Sequence, residues 1–286
     1  MAEPRKVPDS LNAATWLAQV TVLLKSAGIS TARLDAFVLL EDITGKSRAW
    51  LLAHDEFELS NEQLKQLNEK IKRRAIHEPL AYIREQCEFY GRQFSLNNHT
   101  LVPRPESETI IDILCKLPLP SKISVADIGT GSGALGITAG LELSNITKLD
   151  LYDIDAAALK IAKLNAHKHR LKVRLYEGDL LEADHDSYNV IIANLPYVPD
   201  NYTINKAALF EPVMAIFGGS DGLDIYRRLF EQLSHKTWCP EYVITESLPF
   251  QHETMCEIAR SCGFSLKLSD DFIQLFEATV EERLLA

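Results

Sequence analysis

The spacing of apolar residues divides the chain into a helical first part and a longer second part in which strands and helices alternate. Up to about residue 80, apolar side chains recur at helical intervals, which predicts amphipathic helices packed as a small bundle. The last of these helices begins at Ser60 and Gln63, which have the spacing of a capping box. The helical stripes consist of Trp16, Val20, Leu23 and Leu24, of Leu34, Phe37, Val38 and Glu41, and of Leu64, Leu67 and Ile71.

The pattern changes between Phe89 and Val102, where short apolar runs around Gly91 predict a β-hairpin. The segment Pro103–Glu108 then breaks the chain and starts a helix, because Pro105 suits a first-turn position and the glutamates favour a helix N-terminus. We therefore predict a helical domain over residues 1–85, a hairpin linker over 86–104 and a larger domain over 105–286.

Beyond residue 120, short apolar runs alternate with helical patterns. This alternation predicts an α/β fold with a doubly wound, mainly parallel sheet. The predicted strands are Val125–Ile128, Lys148–Tyr152, Val173–Tyr176, Val190–Ala193, Tyr242–Thr245, Ser265–Leu268 and Ile273–Glu277. The predicted helices are Leu135–Leu141, Ala156–Ala166, Leu223–Leu233 and His252–Cys262. The last two strands are close enough to form a hairpin, which would place an antiparallel strand at one edge of the sheet.

Composition narrows the class of protein. The chain has 286 residues, a net charge of −10 and 46% apolar residues, and its polar N-terminus does not resemble a signal peptide. Its five cysteines are scattered without a C-x-x-C pair, so we expect neither a metal site nor a disulfide framework. The acidic balance argues against stable nucleic-acid binding. We therefore expect a cytoplasmic monomer that binds no membrane.

A glycine-rich segment, Asp127–Gly133, follows the first predicted strand of the sheet. Its glycines allow close approach of a ligand, and the following helix start offers backbone N–H groups. Asp153 ends the next strand, where its carboxylate can accept hydrogen bonds from both ribose hydroxyls of an adenosine. The overlapping segment Gly131–Gly136 reads G-x-G-x-x-G, so this loop alone leaves NAD and S-adenosylmethionine as alternatives. Asp179 and Leu180 follow the third strand and would flank the adenine, unless they form an ordinary β-turn.

The tetrapeptide Asn194–Tyr197 indicates the reaction. Asn194 can accept a hydrogen bond from a target N–H through its side-chain oxygen, and a backbone carbonyl held by Pro196 can accept the second. Tyr197 can stack on the planar target group, so that positioning and electrostatics activate a weakly nucleophilic nitrogen without a strong base. An ester, acid or hydroxyl would leave buried acceptors unpaired, at a cost of roughly 1–3 kcal/mol each. These residues favour methyl transfer from S-adenosylmethionine to an amide or exocyclic amine over dehydrogenase chemistry.

Three segments resemble the release-factor glutamine methyltransferases, a likeness that extends over nearly the whole chain. Asn194–Tyr197 is similar to the N-P-P-Y of that family, Pro103–Glu108 to its P-R-P-[DE]-x-E, and Glu211–Leu223 to its E-P-x-x-A-L-x-G-G-x-D-G-L. The resemblance implies a class I methyltransferase fold with a substrate-docking N-terminal helical domain. It also implies methyl transfer from S-adenosylmethionine to the side-chain amide nitrogen of the glutamine in the Gly-Gly-Gln loop of class I peptide-chain release factors.

The resemblance and the motifs together assign residues to the site. In class I methyltransferases the acid that leads the glycine loop helps to hold the ammonium end of the cofactor. The predicted cofactor-binding residues are Asp127, Gly129, Thr130, Gly131, Ser132, Gly133, Asp153, Asp179, Leu180 and Asn194. The predicted substrate-binding residues are Arg104, Glu106, Asn194, Leu195, Pro196 and Tyr197, of which Asn194, Pro196 and Tyr197 are predicted to be catalytic.

Departures from the family pattern define the alternatives. Leu195 stands where the family has its first proline, and N-L-P-Y is the form found in rRNA adenine dimethyltransferases. Adenine methylation on rRNA or DNA is therefore the main alternative, although those enzymes lack the other two segments and the helical domain. Glu246–Gln251 lacks the glycine of the family's E-x-G-x-x-Q, and Asp271–Gln274 lacks its glycine and arginine pattern. These changes leave a cofactor-binding protein without activity as a third hypothesis.

Overall fold

The computed structural model describes residues 11–182 and 186–279. The chain divides into two compact units. One comprises the residues up to Arg84 together with Lys206–Phe210, and the other comprises Glu85–Asn205 and the residues from Glu211 onward. Within the described ranges, no helix is both long enough and apolar enough to cross a bilayer.

The first unit is a helical bundle, as the apolar spacing predicts. Its elements are β1 (Leu11–Asn12), α1 (Ala13–Ser26), α2 (Ala32–Thr44), α3 (Arg48–Ala53), β2 (Glu58–Leu59), α4 (Asn61–Ala75) and α5 (Leu80–Arg84). The short strands β1 and β2 pair antiparallel. The capping box before α4 is confirmed: the Ser60 hydroxyl accepts from the Gln63 backbone N–H, and the Gln63 side chain accepts from the Ser60 N–H.

The buried face of α2 differs from the predicted stripe. Leu34 is 48% exposed, whereas Ala32 and Ala36 are fully buried. Because these small side chains let α2 approach its neighbours closely, they occupy the interface and the larger leucine points outward. Leu23 in α1 is also exposed, which corrects its place in the first stripe. The helices are further tied by an ion pair between Arg74 and the buried Asp35, with 2.7 Å between Nε and Oδ2.

The second unit opens with the expected hairpin of β3 (Gln86–Phe89) and β4 (Arg92–Ser95). Both turn residues, Tyr90 and Gly91, have positive φ angles, as a tight two-residue hairpin requires. A 3₁₀ turn at Pro105–Ser107 leads into α6 (Glu108–Leu114), so the proline-rich segment starts a helix as predicted.

The central sheet is mainly parallel and has helices along its connections. Its strands are β5 (Ile123–Ile128), β6 (Ile146–Asp153), β7 (Arg174–Glu177), β8 (Val190–Ala193), β9 (Tyr242–Glu246), β10 (Phe264–Asp270) and β11 (Ile273–Ala278). The helices are α7 (Ala134–Glu142), α8 (Ala156–Lys168), α9 (Asp224–Ser234) and α10 (His252–Ser261), and further 3₁₀ turns lie at Ala208–Phe210, Val213–Ala215 and Pro249–Gln251. The strand order is β10-β11-β9-β8-β5-β6-β7.

The predicted doubly wound fold is confirmed, with one correction at its edge. Strands β5 to β9 pair in parallel, and β11 pairs antiparallel with both β9 and β10. The antiparallel strand therefore lies one position inside the edge, which is formed by β10. The exposed pattern of β10, in which only Phe264 is buried, suits an edge strand, whereas most of β11 is buried.

The topology brings two loops together. The strand β5 pairs with β6 on one side and with β8 on the other. Strands β6 and β7 therefore extend the sheet to one side of β5, and β8 and β9 extend it to the other side. Ligands of open α/β sheets bind at such a switch point, beyond the carboxyl ends of the strands. The segment after β5 is the glycine loop, and the segment after β8 is Asn194–Tyr197. The fold therefore places both predicted motifs at one edge of the sheet.

Candidate active site

A cavity of about 310 Å³ lies at this switch point. Its size is at the lower end of the roughly 300–1,000 Å³ typical of small-molecule sites. The predicted site residues that line it are Arg104, Gly129, Thr130, Gly131, Ser132, Asp153, Asp179, Leu180, Asn194, Leu195 and Pro196. Asp127, Gly133, Tyr197 and the exposed Glu106 are not among the lining residues.

The glycine loop is held in a conformation that requires glycine. Gly129 and Gly131 have φ angles of 70° and 55°, in the left-handed region. A Cβ on Gly129 would lie 2.8 Å from Cδ2 of Leu195, whereas a Cβ on Gly131 would meet no atom within 4 Å. Gly129 thus allows close packing against the tetrapeptide, and Gly131 exposes backbone to the cavity.

Asp127 braces this loop from behind. Its carboxylate is buried and accepts hydrogen bonds from the Thr130 hydroxyl at 2.6 Å and the Gly136 N–H at 2.9 Å. Burial raises the pKa of Asp127 to about 6, while both hydrogen bonds act in the opposite direction. The side chain therefore connects the loop to the first turn of α7. A direct contact with the ammonium end of the cofactor stays a prediction.

Asp153 holds the loop from the cavity side. Its Oδ2 accepts from the Gly131 N–H at 2.7 Å and its Oδ1 accepts from the Asp155 N–H at 2.9 Å. Burial raises the pKa of Asp153, and these backbone hydrogen bonds oppose the shift. Each carboxylate oxygen can accept more than one hydrogen bond, so the contact with ribose hydroxyls stays a prediction compatible with this geometry.

The far wall of the cavity contains Asp179 and Leu180, which follow β7. The Asp179 carboxylate forms an ion pair with Arg228 of α9, and Leu180 is buried with a positive φ angle. Arg228 and Ile225 also line the cavity. Sequence analysis misses these two residues because α9 reads only as an amphipathic helix. The predicted contact of Asp179 and Leu180 with adenine remains a prediction.

The opposite end of the cavity is organised around a buried glutamate, Glu246, at the end of β9. Its Oε2 accepts from Nδ2 of Asn194 at 2.9 Å and from the Ser107 hydroxyl at 2.6 Å. Its Oε1 accepts from the Tyr197 hydroxyl at 2.9 Å. Burial raises the pKa of Glu246, against these hydrogen bonds, and burial beside Glu246 raises the pKa of Tyr197. One carboxylate thus connects two of the three residues predicted to be catalytic, Asn194 and Tyr197.

Glu246 is the functional residue that sequence analysis most clearly missed. A signal was available, because an acid ends a buried strand of the sheet, where the carboxyl ends of β5, β6 and β8 also meet. In the sequence, the segment that begins at Glu246 is notable instead for lacking the glycine of the family's E-x-G-x-x-Q pattern. The local path around Leu248 is closed by Gln251, whose Oε1 accepts from the Leu248 N–H at 2.8 Å.

The backbone from Tyr197 to Val198 is held by the turn before α10, which carries Gln251, and by the loop before α9. The Gln251 side-chain amide donates to the Tyr197 carbonyl at 2.8 Å, and the Val198 N–H donates to the Ile216 carbonyl at 3.0 Å. A Cβ on Gly222 would lie 2.1 Å from the Tyr197 carbonyl oxygen. The glycines of the G-G-x-D-G-L segment therefore allow close contact with the residues that follow Asn194.

The other two motif segments are joined by an ion pair. Arg104 Nη2 lies 2.6 Å from Oε1 of Glu211, and the Val102 N–H donates to Oε2 of the same carboxylate at 3.1 Å. The Glu211 side chain is 1% exposed, so Arg104 compensates a buried charge. Arg104 lines the cavity, whereas the structure does not bring the exposed Glu106 into that lining.

Solved structures share the fold at low sequence identity. The hMettl16 catalytic domain, solved in complex with the MAT2A 3′UTR hairpin 6, aligns with a TM-score of 0.53 and 12% identity. The alignment covers 77% of this chain and 82% of that one. A likeness at this identity supports the fold alone.

Sequence comparisons reach further. Residues 15–84 match the family model of the PrmC N-terminal domain, and residues 107–210 match that of the methyltransferase small domain. The release factor glutamine methyltransferase of Coxiella burnetii is 40% identical over 71% of this chain and 74% of its own length. The one from Clostridium acetobutylicum is 32% identical over 84% of this chain and 88% of its own length. This chain belongs to the family of release factor glutamine methyltransferases.

Proposed function

We propose that this protein transfers a methyl group from S-adenosylmethionine to the side-chain amide nitrogen of the glutamine in the Gly-Gly-Gln loop of class I peptide-chain release factors. Family membership supports the reaction and the substrate class. The single observation that carries the chemistry is the amide of Asn194, which lines the cavity while its nitrogen is bound to Ser107 and Glu246. Its oxygen is then the atom available to accept from a target N–H.

The residues present fit the cofactor. Gly131 lines the cavity, and a Cβ on it would meet no atom within 4 Å, so a ligand can approach its backbone. Asp153 places a carboxylate in the cavity wall for ribose hydroxyls. Leu180 supplies an apolar surface for a purine, and Asp179 a carboxylate for its amino group. When bound, S-adenosylmethionine supplies an electrophilic methyl group on its sulfonium. The residues that would hold it are Asp127, Gly129, Thr130, Gly131, Ser132, Gly133, Asp153, Asp179, Leu180 and Asn194.

The chain's own residues would activate the target by orienting it. Oδ1 of Asn194 accepts one amide hydrogen and a backbone carbonyl held by Pro196 accepts the other, which raises electron density on the nitrogen and fixes its direction. The ring of Tyr197 limits rotation of the planar group. Arg104, Glu106 and Leu195 are proposed to border the substrate. A substrate acid or ester carries no N–H for these acceptors, so it would leave them unpaired.

The same two acceptors favour release of the product. A primary amide brings two N–H hydrogens to the site, whereas the methylated amide retains one, because the nitrogen gives up a proton when the N–CH₃ bond replaces the S–CH₃ bond. One of the buried acceptors therefore loses its partner after transfer, which costs roughly 1–3 kcal/mol. The site thus binds the substrate amide better than the product amide, and a second methylation is disfavoured.

Further proposals concern the domains of the chain, its location and its oligomeric state. We propose a substrate-docking domain over residues 1–85, a linker over 86–104 and a catalytic domain over 105–286. The first boundary is supported by the division into compact units, since the second unit begins at Glu85. We also propose a cytoplasmic monomer without stably bound nucleic acid, and the net charge of −10 supports the last of these statements. Light scattering of the purified chain should give the mass of a monomer. The chain should also elute from immobilised RNA at low salt.

The direct test is transfer of labelled methyl groups to three substrates: a purified class I release factor, its Gln→Ala variant in the Gly-Gly-Gln loop, and total RNA. We expect label on the wild-type factor alone. Label on RNA would instead support the adenine alternative. Cofactor binding without transfer to the factor would support the hypothesis of an inactive binding protein.

A further inference from the structure

A single buried carboxylate connects three separate segments of the active site. Glu246 is 1% exposed and ends β9. It accepts from Ser107 of the proline-rich segment and from Asn194 and Tyr197 of the tetrapeptide. All three donors are side-chain groups, so the carboxylate fixes the orientation of these three side chains.

These contacts determine which way the Asn194 amide faces. The hydroxyls of Ser107 and Tyr197 both donate to Glu246, one to each carboxylate oxygen, so Glu246 acts as an acceptor and the atom of Asn194 that lies 2.9 Å from it is the nitrogen. The Ser107 hydroxyl already donates its one proton to Glu246, so it too can only accept from Asn194, at 3.0 Å. Both neighbours therefore select the same orientation, with the nitrogen bound and the oxygen left as the acceptor.

We propose that Glu246 is a positioning residue that locks the Asn194 amide with its oxygen available to the target nitrogen and holds the Tyr197 ring through its hydroxyl. The inference rests on the proposed function and deepens it. If the amide turned over, Nδ2 would face the target N–H, donor against donor. The acceptor on which nitrogen activation depends would then be lost, although Asn194 itself remained in place.

An exchange of groups tests this lock. Asn194→Asp puts a second carboxylate against Glu246, and we expect it to reduce kcat strongly. Adding Glu246→Gln supplies an amide that can donate to the new carboxylate, so an oxygen again faces the target. We expect the double variant to be about 10-fold more active than Asn194→Asp alone, which matches a coupling between contacting residues of about 1.4 kcal/mol. A double variant no more active than Asn194→Asp alone would overturn the proposal.

Removal of the carboxylate gives a second readout. We expect Glu246→Ala to lower kcat about 10- to 100-fold, as for the loss of a buried hydrogen bond to a charged group, with little change in the Kd for S-adenosylmethionine. Asp150→Ala is the matched control, because Asp150 is a fully buried carboxylate elsewhere in the sheet, paired with Arg174. It should lose stability but retain kcat. If both variants lose kcat equally, the effect of Glu246 is a general loss of structure.

The lock can also be observed without catalysis. In the NMR spectrum of the asparagine-labelled wild-type chain, the side-chain NH₂ of Asn194 should be protected from solvent exchange, and Ser107→Ala should weaken that protection. Rapid exchange in the wild type would overturn the proposal whatever the variants do. A protected amide in a protein that fails to methylate a release factor would retain the lock and place the error in the proposed substrate.

Discussion

The backbone N–H of Leu195 donates a hydrogen bond to the hydroxyl of Tyr226, with 3.1 Å between nitrogen and oxygen. The same hydroxyl lies 2.6 Å from the carbonyl oxygen of Glu246 and is fully buried. Tyr226 thus joins the end of β8 to the end of β9 beneath the active site. A proline at position 195, as in the family pattern, has no N–H to donate. The departure at Leu195 therefore adds a contact within the scaffold, and the chemistry at Asn194 does not depend on it.

Replacing Leu195 should show whether the N-L-P-Y sequence has a structural role or determines whether protein or RNA is the substrate. We expect Leu195→Pro to cost about 1 kcal/mol of stability for the lost hydrogen bond while leaving the release factor as substrate. Tyr226→Phe, the matched change on the other partner, should cost more, since both Leu195 and Glu246 lose a buried partner. Urea denaturation and methyl-transfer assays of both variants provide the measurements. A switch of Leu195→Pro between RNA and protein substrates would assign Leu195 to specificity instead.

Replacing Gly131 should lower cofactor affinity in addition to the loss of stability that any side chain causes at its positive φ angle. A methyl group there enters the cavity, and the φ of 55° costs a non-glycine residue about 1–2 kcal/mol. We expect Gly131→Ala to raise the Kd for S-adenosylmethionine at least about 10-fold by calorimetry, since the bound ligand would lose its approach to the backbone.

Gly91 offers the control for that experiment. It lies in the hairpin turn with a φ of 68°, and a Cβ there also meets no atom within 4 Å. Gly91→Ala should therefore cause a similar loss of stability with an unchanged Kd. Equal loss of affinity in both variants would show that strain in the chain, and not the cavity, controls binding.

The Arg104–Glu211 ion pair should matter for stability more than exposed ion pairs do. Arg104→Ala would leave the carboxylate of Glu211 buried and unpaired, which costs about 3 kcal/mol. Arg92→Ala is the comparison, because Arg92 and Glu142 are each more than a quarter exposed and should contribute less than about 1 kcal/mol. Chemical denaturation of both variants gives the two values. Similar losses would contradict the role assigned to burial of Glu211.

Asp127 should make stability decrease as the pH rises through its titration range. Its folded pKa of about 6 lies above its ordinary value of 3.8, so between these pH values the folded state binds more protons than the unfolded state. The free energy of unfolding must then fall with rising pH, by about 2–3 kcal/mol for this group. Denaturation of the wild type and Asp127→Asn across this range isolates the effect. A stability difference that stays constant with pH would contradict the raised pKa.

The fold of the α/β part was largely predictable, because the spacing of its apolar residues and the positions of its turn residues indicate the same strands and helices. Each predicted strand overlaps an observed one, since buried parallel strands are short apolar runs bounded by turns. The buried face of α2 was not predictable, because Ala32 and Ala36 are buried through their packing against neighbouring helices and not because they are strongly apolar. The position of β11 inside the edge likewise depends on pairing with β9, which lies far away in sequence.

The candidate site shows the same division. The loop after β5 and the tetrapeptide after β8 could be identified because each motif is continuous in sequence. Glu246 has only the signal of an acid that ends a buried strand, and its role arises only where the ends of β8 and β9 meet the turn that carries Ser107. Asp127 was recognised by its position, but its hydrogen bonds to the loop appear only in three dimensions.

The central claim is that Asn194 activates a release-factor glutamine amide at this site. The most direct measurement is fragmentation mass spectrometry of the Gly-Gly-Gln peptide after reaction with the wild type and with Asn194→Ala, alongside the Kd of each for S-adenosylmethionine. We predict one methyl group on the glutamine side chain with the wild type and none with Asn194→Ala, whose Kd should rise only slightly because Asn194 is one of ten residues proposed to hold the cofactor. An equally methylated glutamine in the Asn194→Ala reaction, or methylation at another residue, would contradict the account.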